Sequence, residues 1–300
     1  MFTEQTKTIS KKSRVNAKVL WFTEAHTPNV HFSIRISRHL HSEKSEYQQI
    51  DVFDSFEFGR FFSLDSVVML TEKDEFIYHE MITHVPMAAI PGIKTVLVVG
   101  GGDGGTVREL TRYRTIERID MVDIDKRVVE VCREFLPFTS CRLDDPRVNL
   151  YFEDGVSFVS RKENEYDLII VDSTDPISVG EGLFTDGFYK NCHKALKGDG
   201  ILVNQHESPY YEITAKSMRR AHQRIMERFL PESCHVYQAF IPTYQSGHWL
   251  FGFAGKTAVN PLDFNASKWN ALGLETRYYN TDLHRASFVL PNYVKKDLGY

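Results

Sequence analysis

The sequence predicts an α/β protein in which a small antiparallel β domain precedes a doubly wound, mostly parallel sheet. From residue 95 onward, short apolar runs alternate in strict turn with amphipathic segments, and such alternation implies right-handed crossovers between parallel strands. Between about Lys18 and Thr71, β-branched and aromatic residues alternate with polar ones, which is typical of antiparallel strands. We therefore place an N-terminal β-strand domain at residues 1–72 and an α/β domain at residues 73–300.

The N-terminal strands are marked by residues 30–36 and 47–53, which alternate in polarity. Residues 57–60 resemble a turn because Gly59 tolerates the positive φ of tight hairpins. A helical stretch then runs through Ala88 and ends before Pro91. Five buried strands are predicted beyond it, at residues 95–100, 119–122, 148–152, 168–172 and 200–204, with helices beginning near Gly104, Lys126, Gly155 and Asp186.

Composition excludes several classes of protein. The 300 residues are 42% hydrophobic and 25% charged, which is typical of a globular chain and not of disordered or collagenous ones. With 36 basic against 40 acidic residues, the chain lacks the basic footprint of a nucleic-acid-binding protein. It also lacks an N-terminal signal peptide and any run of about 18 apolar residues. Four cysteines without a C-x-x-C pair favour reduced thiols, so we expect a cytoplasmic protein bound to neither membrane nor nucleic acid.

A glycine-rich loop follows the first parallel strand. Residues 100–105 satisfy G-x-G-x-x-G, and Asp123 and Asp125 follow about 20 residues later, as in dinucleotide-binding sites. Asp103, however, places a carboxylate inside this loop, where it would repel a phosphate and favour a cation. Alternatively, Asp103 only caps the next helix.

Acidic residues recur where the other parallel strands end. They are Asp123, Asp154 and Asp172, and parallel strands meet at one edge of a sheet, where ligands bind. Each could be a helix cap or turn residue, but the repeated choice of a formal charge indicates a cationic ligand. At these positions Asp123 could accept ribose hydroxyls and Asp154 an adenine amino group.

The remaining aspartates would face positive charge. Asp172 and Asp175 lie three residues apart in a loop closed by Pro176, so both could face one amine, with one carboxylate holding it and the other taking its proton. No metal site is predicted, because His79 and His84 are five residues apart and would diverge by about 140° around a helix.

Further motifs lie at residues 47–48, 64–65, 74–80 and 241–244. Together with the glycine-rich loop and the paired aspartates, they resemble the polyamine aminopropyltransferases, and among them the spermidine synthases. The resemblance extends from about Leu20 to the C-terminus and keeps the order of the motifs. It implies a Rossmann-like, methyltransferase-type fold assembled as a homodimer or homotetramer. It also implies transfer of an aminopropyl group from decarboxylated S-adenosylmethionine to putrescine, with no cofactor besides this co-substrate.

The resemblance also implies roles for single residues. Asp172 matches the proton acceptor, and Tyr78, Gln205 and Tyr244 match residues that orient the amine. The residues that match the thioadenosine site are Gln48, Asp123, Asp154 and Gly155, with Val179 on the loop that closes over the adenine. The amine groups would be held by His79, Asp103 and Asp175, with Ser173 and Thr174 between the paired aspartates.

Some positions depart from the family pattern, and the activity is not narrowed to a single reaction. Ser66 replaces a common glycine, Met69 a common glutamine, and Ser178-Val179 a common Gly-Pro. The acceptor could be agmatine or cadaverine instead of putrescine. A methyltransferase, a nicotinamide oxidoreductase and a non-catalytic polyamine-binding protein are also compatible with the predicted fold, since a fold by itself does not decide function.

Overall fold

The computed structural model describes residues 19–174 and 178–300. Its N-terminal part is a five-stranded antiparallel sheet in which each strand pairs with its neighbour in sequence. The turn between the third and fourth strands contains Gly59 with φ of 68°, as predicted. The strands are β1 (Leu20–Thr27), β2 (Val30–Lys44), β3 (Gln49–Ser55), β4 (Arg60–Leu64) and β5 (Val67–Thr71).

A seven-stranded sheet follows, in the order β11-β12-β10-β9-β6-β7-β8. Its strands are β6 (Thr95–Gly100), β7 (Arg118–Asp123), β8 (Val148–Phe152), β9 (Tyr166–Asp172), β10 (Leu196–Gln205), β11 (Cys234–Phe240) and β12 (His248–Gly255). The helices are α1 (Glu75–Ala89), α2 (Gly105–Thr111), α3 (Lys126–Phe135), α4 (Pro137–Ser140), α5 (Gly155–Ser160), α6 (Asp186–Ala195), α7 (Glu212–Met226), α8 (Ala266–Asn270), α9 (Thr281–Ser287) and α10 (Asn292–Leu298).

Strands β10, β9, β6, β7 and β8 are parallel, whereas β12 and β11 extend the sheet antiparallel to them. Each of the five predicted strands lies within an observed parallel strand, so the predicted fold class is confirmed. No strand was predicted after residue 204, so the antiparallel pair was missed.

Alternate residues of the parallel strands face opposite layers of helices. In β6, Val96 and Val98 pack with α1 and α2, whereas Leu97 and Val99 pack with α5 and α6. Burial on both faces explains why these strands are continuous apolar runs and not alternating ones.

The N-terminal sheet packs on the edge of the α/β domain through α3. Val52 and Leu64 of the sheet form one buried cluster with Val128 and Val131 of α3. This contact places β1 to β5 beside the carboxyl ends of the parallel strands. The predicted boundary at residues 72 and 73 falls between β5 and α1.

Two further features of the structure concern disulfide bonds and membrane-spanning helices. All four cysteines lie among the described residues, and none is in a disulfide. Among the described residues, no helix is both long and apolar enough to cross a membrane.

Candidate active site

The carboxyl ends of β9, β6, β7 and β8 lie side by side and carry the acidic residues of the site. Gly100 at the end of β6 is paired with Asp172 at the end of β9. Gly100 has φ of 85°, and a Cβ there would lie 2.1 Å from the Asp172 carbonyl oxygen. Glycine is therefore required for the loop to turn against this aspartate.

One cavity at this sheet edge is lined by the predicted site residues that the structure describes. Asp175 lies outside the described residues, and so does the side chain of Val179. The others are Gln48, Tyr78, His79, Asp103, Asp123, Asp154, Gly155, Asp172, Ser173, Thr174, Gln205 and Tyr244.

Asp172 is oriented by two hydroxyl donors. The Tyr78 hydroxyl donates to its Oδ1 at 2.7 Å, and the Thr106 hydroxyl donates to its Oδ2 at 2.7 Å. Burial and the charge of Asp103 raise the pKa of Asp172, and His79 and the two hydroxyls oppose this increase. Burial and the Asp172 charge also raise the pKa of Tyr78, so Tyr78 keeps its proton and Asp172 is the group able to accept one.

Asp103 lies beside a buried histidine. Its Oδ1 accepts a hydrogen bond from the Gly105 amide at 2.8 Å and lies 3.2 Å from His79 Nε2. The N-cap of α2 is Gly104 and not Asp103, but the Asp103 carboxylate accepts the first helical amide and also lines the cavity. The two interpretations of this residue are compatible, because a carboxylate has lone pairs for both.

Asp123 lies in a polar corner between the two domains. Its Oδ1 accepts the Asp125 amide at 2.9 Å, and Asp125 Oδ2 accepts Gln48 Nε2 at 3.1 Å and the Ser45 hydroxyl at 2.6 Å. Burial and the charges of Asp125 and Asp103 raise the pKa of Asp123 to about 6, against amide donors including that of Gly102. Through these hydrogen bonds Asp125 links Ser45 and Gln48, which lie between β2 and β3 of the N-terminal sheet, to Asp123 at the end of β7.

Asp154 caps helix α5. It accepts the amides of Val156 and Ser157 at 3.1 and 3.2 Å, which is the ordinary work of an aspartate at a helix N-terminus. Each oxygen keeps a further lone pair, and Asp154 lines the same cavity as Asp123. Gly155 beside it leaves room for the sheet, because a Cβ there would lie 2.7 Å from Val99 Cγ1.

The structure adds residues that the sequence motifs did not indicate. Glu24 of β1 lines the cavity and is buried, and it accepts the Val68 amide at 2.8 Å. An acid on the buried face of a strand, two residues from Phe22, was the available signal. Thr106 gave no signal, because its contact with Asp172 depends on the meeting of α2 and β9.

Two departures from the family pattern are accommodated by the backbone. Ser66 adopts φ of 68° in the turn after β4, a left-handed conformation that explains why glycine is common at this position. Met69 lines the cavity, and its carbonyl oxygen accepts the Tyr244 hydroxyl at 2.7 Å. The β5 backbone therefore takes part in fixing Tyr244.

Ligand atoms of three residues converge closely enough to hold a small cation. One ring nitrogen of His79 and one oxygen each of Asp103 and Asp172 lie within 4.8 Å of one another. An ammonium group and a metal ion both suit such carboxylates in principle. The two ring nitrogens of His79 face the carboxylates of Glu75 and Asp103. This arrangement favours an ammonium, because a histidine that donates through both ring nitrogens has no lone pair for a metal.

Most of the chain matches two family models. Residues 75–264 match the model described as spermine/spermidine synthase domain, and residues 20–72 match that described as spermidine synthase tetramerisation domain. A polyamine aminopropyltransferase of Alkaliphilus oremlandii is 68% identical over 277 residues, covering 92% of this chain and 97% of the relative. One of Clostridium perfringens is 68% identical over 279 residues, covering 93% and 98%.

Solved structures agree with these sequence matches. A spermidine synthase in complex with the transition-state analogue AdoDATO is 43% identical, with a TM-score of 0.91 and coverage of 94% of this chain and 96% of that one. The spermidine synthase of Thermotoga maritima is 41% identical, with a TM-score of 0.88 and coverage of 94% and 95%.

The fold is thus that of an enzyme class, the aminopropyl-transferring enzymes of polyamine synthesis. The chain belongs to the spermine/spermidine synthase family. The named relatives favour an aminopropyltransferase over an oxidoreductase, a methyltransferase or a non-catalytic binding protein, and they leave the acceptor amine to be assigned.

Proposed function

We propose that the enzyme transfers the aminopropyl group of decarboxylated S-adenosylmethionine to putrescine, giving spermidine and methylthioadenosine. The observation that carries this proposal is the Asp172 carboxylate, held by Tyr78 and Thr106 in a cavity that also contains Asp103 and Asp123. The cavity thereby combines a proton acceptor with acids placed to bind an ammonium group and a ribose.

The chemistry needs little activation of the donor, because a sulfonium is already a good leaving group. The amine nitrogen attacks the aminopropyl carbon bonded to sulfur. A C–N bond forms, the C–S bond breaks, and its electron pair leaves with methylthioadenosine. The proton lost by the attacking nitrogen passes to Asp172. What the protein supplies is alignment and a neutral amine.

The amine must lose a proton before it can attack, because a primary amine of lysine type has a pKa of about 10 and is protonated at neutral pH. The carboxylates attract the protonated diamine, whereas burial and the neighbouring sulfonium favour loss of its proton. Asp172, with a pKa raised by burial and by Asp103, is a better proton acceptor than an exposed aspartate.

In this proposal the amine groups have separate partners. Asp103 receives the ammonium of the aminopropyl arm, and Asp175 with His79 contributes to the amine side. Ser173, Thr174, Gln205 and Tyr244 line the same cavity as Asp103 and His79. Glu24 and Gln205 offer polar groups to the second nitrogen of a diamine, which favours putrescine over a monoamine.

The thioadenosine is placed against the other strand ends. Asp123 accepts the ribose hydroxyls, Gln48 approaches from the N-terminal domain, and Asp154 with Gly155 faces the adenine. Val179 supplies an apolar face from the loop after β9. Methylthioadenosine would therefore bind at this site without any amine.

The proposal extends to the oligomeric state of the enzyme and to its place in the cell. The match of residues 20–72 to a tetramerisation domain supports an oligomer built through the N-terminal sheet, and we propose a homotetramer with a homodimer as the alternative. We also propose a cytoplasmic reaction with no metal or other cofactor.

The acceptor is tested by incubating the enzyme with decarboxylated S-adenosylmethionine and equal amounts of putrescine, cadaverine and agmatine. Mass spectrometry of the products is expected to show spermidine as the main product. Intact S-adenosylmethionine serves as the control donor and should give none. A main product from agmatine or cadaverine would reassign the acceptor and keep the enzyme class.

The pKa of Asp123 predicts how nucleoside binding depends on pH. Ribose hydroxyls donate to the ionised carboxylate, and the pKa of this group in the free enzyme is about 6. Affinity for methylthioadenosine should therefore be nearly constant above about pH 7 and fall roughly tenfold between pH 7 and pH 5. Calorimetric titration across this range measures it.

The variant Asp123→Asn is the control for this titration. It cannot ionise, so its affinity should be lower at pH 8 and independent of pH between 5 and 8. A wild-type affinity that is also flat down to pH 5 would contradict the assignment of Asp123 to the ribose.

A further inference from the structure

A buried chain of charged groups runs from α2 to the cavity through Glu75 and His79. Arg108 donates to both oxygens of Glu75 at 2.9 Å. Glu75 Oε2 lies 2.6 Å from His79 Nδ1, and His79 Nε2 lies 3.2 Å from Asp103 Oδ1. Glu75 and His79 are only 6% and 2% exposed, so water cannot substitute for these contacts.

Both ring nitrogens of His79 face carboxylates. A neutral imidazole has one N–H and one lone pair, so it would direct the lone pair at one of the two anions. Only the imidazolium, which carries two N–H groups, satisfies both contacts. Burial opposes the charged form, but Asp103 and Glu75 outweigh it and raise the pKa of His79 to about 10.

Glu75 is itself held in the ionised form. Burial favours its protonation, yet the hydrogen bonds and charges of His79 and Arg108 lower its pKa. Arg108 also donates to the Phe138 carbonyl and to Glu109. Apart from His79, Glu75 is therefore fixed by Arg108, which does not line the cavity.

The start of α2 is shaped to admit the histidine ring. A Cβ on Gly105 would lie 2.3 Å from His79 Cε1, a distance that no side chain tolerates. The Gly105 amide meanwhile donates to the same Asp103 oxygen that His79 approaches. Backbone and imidazole thus hold Asp103 from two sides.

On the basis of the function proposed above, we propose that Glu75 is a positioning residue that holds His79 as an imidazolium, and that this cation orients Asp103 toward the aminopropyl ammonium. His79 then acts on the amine through Asp103 and makes no direct hydrogen bond to it. This role differs from the direct amine contact that the family resemblance implies for His79.

The same cation influences Asp172. His79 lowers the pKa of Asp172, whereas Asp103 raises it. Loss of the His79 charge should therefore leave Asp172 protonated to a higher pH. The charged and titratable groups around His79 are Glu75 and Tyr78 of α1, Arg108 of α2, Asp103 of the glycine loop, Asp172 of β9, and Tyr244 beyond Tyr78.

The test replaces one of two buried glutamates on the same helix. Glu75→Gln removes the anion beside His79, whereas the matched control Glu80→Gln alters a residue that accepts the backbone amides of Arg277, Tyr278 and Tyr279. Both changes remove a buried charge from α1. Only the first touches the chain of contacts to Asp103.

The first readout does not depend on turnover. In protein labelled with ¹³C at histidine Cε1, the His79 signal is identified by its loss in His79→Gln. It should have the imidazolium shift at pH 8 in the wild type and in Glu80→Gln, and the neutral shift at pH 8 in Glu75→Gln. A neutral His79 in the wild type, or a charged one in Glu75→Gln, would overturn the proposal even if no aminopropyl product is ever found.

The second readout is the pH profile of kcat/KM for the amine. In Glu75→Gln its acidic limb should move up by about one to three pH units, the usual effect of removing a neighbouring opposite charge. Glu80→Gln should leave the limb in place. A purely structural role would lower kcat or Tm in both variants without moving the limb, which would also overturn the proposal.

His79→Gln keeps the kinetic test usable if Glu75→Gln fails to fold. Glutamine retains an N–H for Asp103 but has no charge, so the acidic limb should move in the same direction. An unmoved limb in His79→Gln would count against the imidazolium.

Discussion

Replacing Asp172 by asparagine is expected to lower kcat by about 10²- to 10⁴-fold, the range for loss of a general base. The amide cannot accept the proton that the attacking amine must lose. The position should otherwise be preserved, because asparagine is isosteric and the hydroxyls of Tyr78 and Thr106 can rotate to donate or accept. Steady-state kinetics with saturating donor and amine measure the effect.

Binding of methylthioadenosine should survive this change, since the product lacks the reacting nitrogen. Asp120→Asn is a suitable control, because Asp120 is a buried aspartate of β7 that accepts the Tyr166 hydroxyl and the Asn149 amide and is not among the residues lining the cavity. It should cost stability but little kcat. An Asp172→Asn enzyme within a few-fold of the wild-type kcat would show that another group takes the proton.

Replacing Asp103 by asparagine is expected to reduce discrimination between donors. A hydrogen bond to a charged group contributes about 1.5–3 kcal/mol, so kcat/KM for decarboxylated S-adenosylmethionine should fall about 10- to 100-fold. Asparagine can still accept the Gly105 amide, which preserves the start of α2. Affinity for intact S-adenosylmethionine should rise, because the carboxylate that repels its α-carboxylate is gone.

The ratio of the two donors is the quantity to measure, by kinetics for the decarboxylated form and by calorimetry for the intact one. Methylthioadenosine lacks the aminopropyl arm and should bind with unchanged affinity, which controls for distortion of the glycine loop. An unchanged preference in Asp103→Asn would mean that donor selection depends on another part of the cavity.

The pairing of Gly100 with Asp172 shows how much of the site could be predicted from local sequence. Apolar runs that end in Gly100, Asp123 and Asp172 specify parallel strands, and parallel strands bring their ends to one edge. The acidic strand ends could therefore be predicted to meet without knowledge of the tertiary structure. The resemblance to a known family added the nature of the reaction, which spacing alone did not supply.

The antiparallel strands β11 and β12 show where prediction failed. Strand β12 is buried along its whole length, so it lacks the alternation that marks a strand with one exposed face. Strand β11 lies at the edge of the sheet and shows that alternation only in part. The acceptance of the Val68 amide by Glu24, and its position in the cavity, likewise depend on how five sequential strands curve over the site.

Between residues 95 and 205 the sequence by itself determined the alternation of strands and helices, and it also determined the glycine loop and the positions of the acidic residues, because these follow from residue type and local period. Only the tertiary structure decided what each acid contacts. The chain from Arg108 through Glu75 and His79 to Asp103 joins two helices and a loop, and the contact of Thr106 with Asp172 joins a helix to a strand. Such contacts depend on packing between segments distant in sequence, which no local pattern encodes.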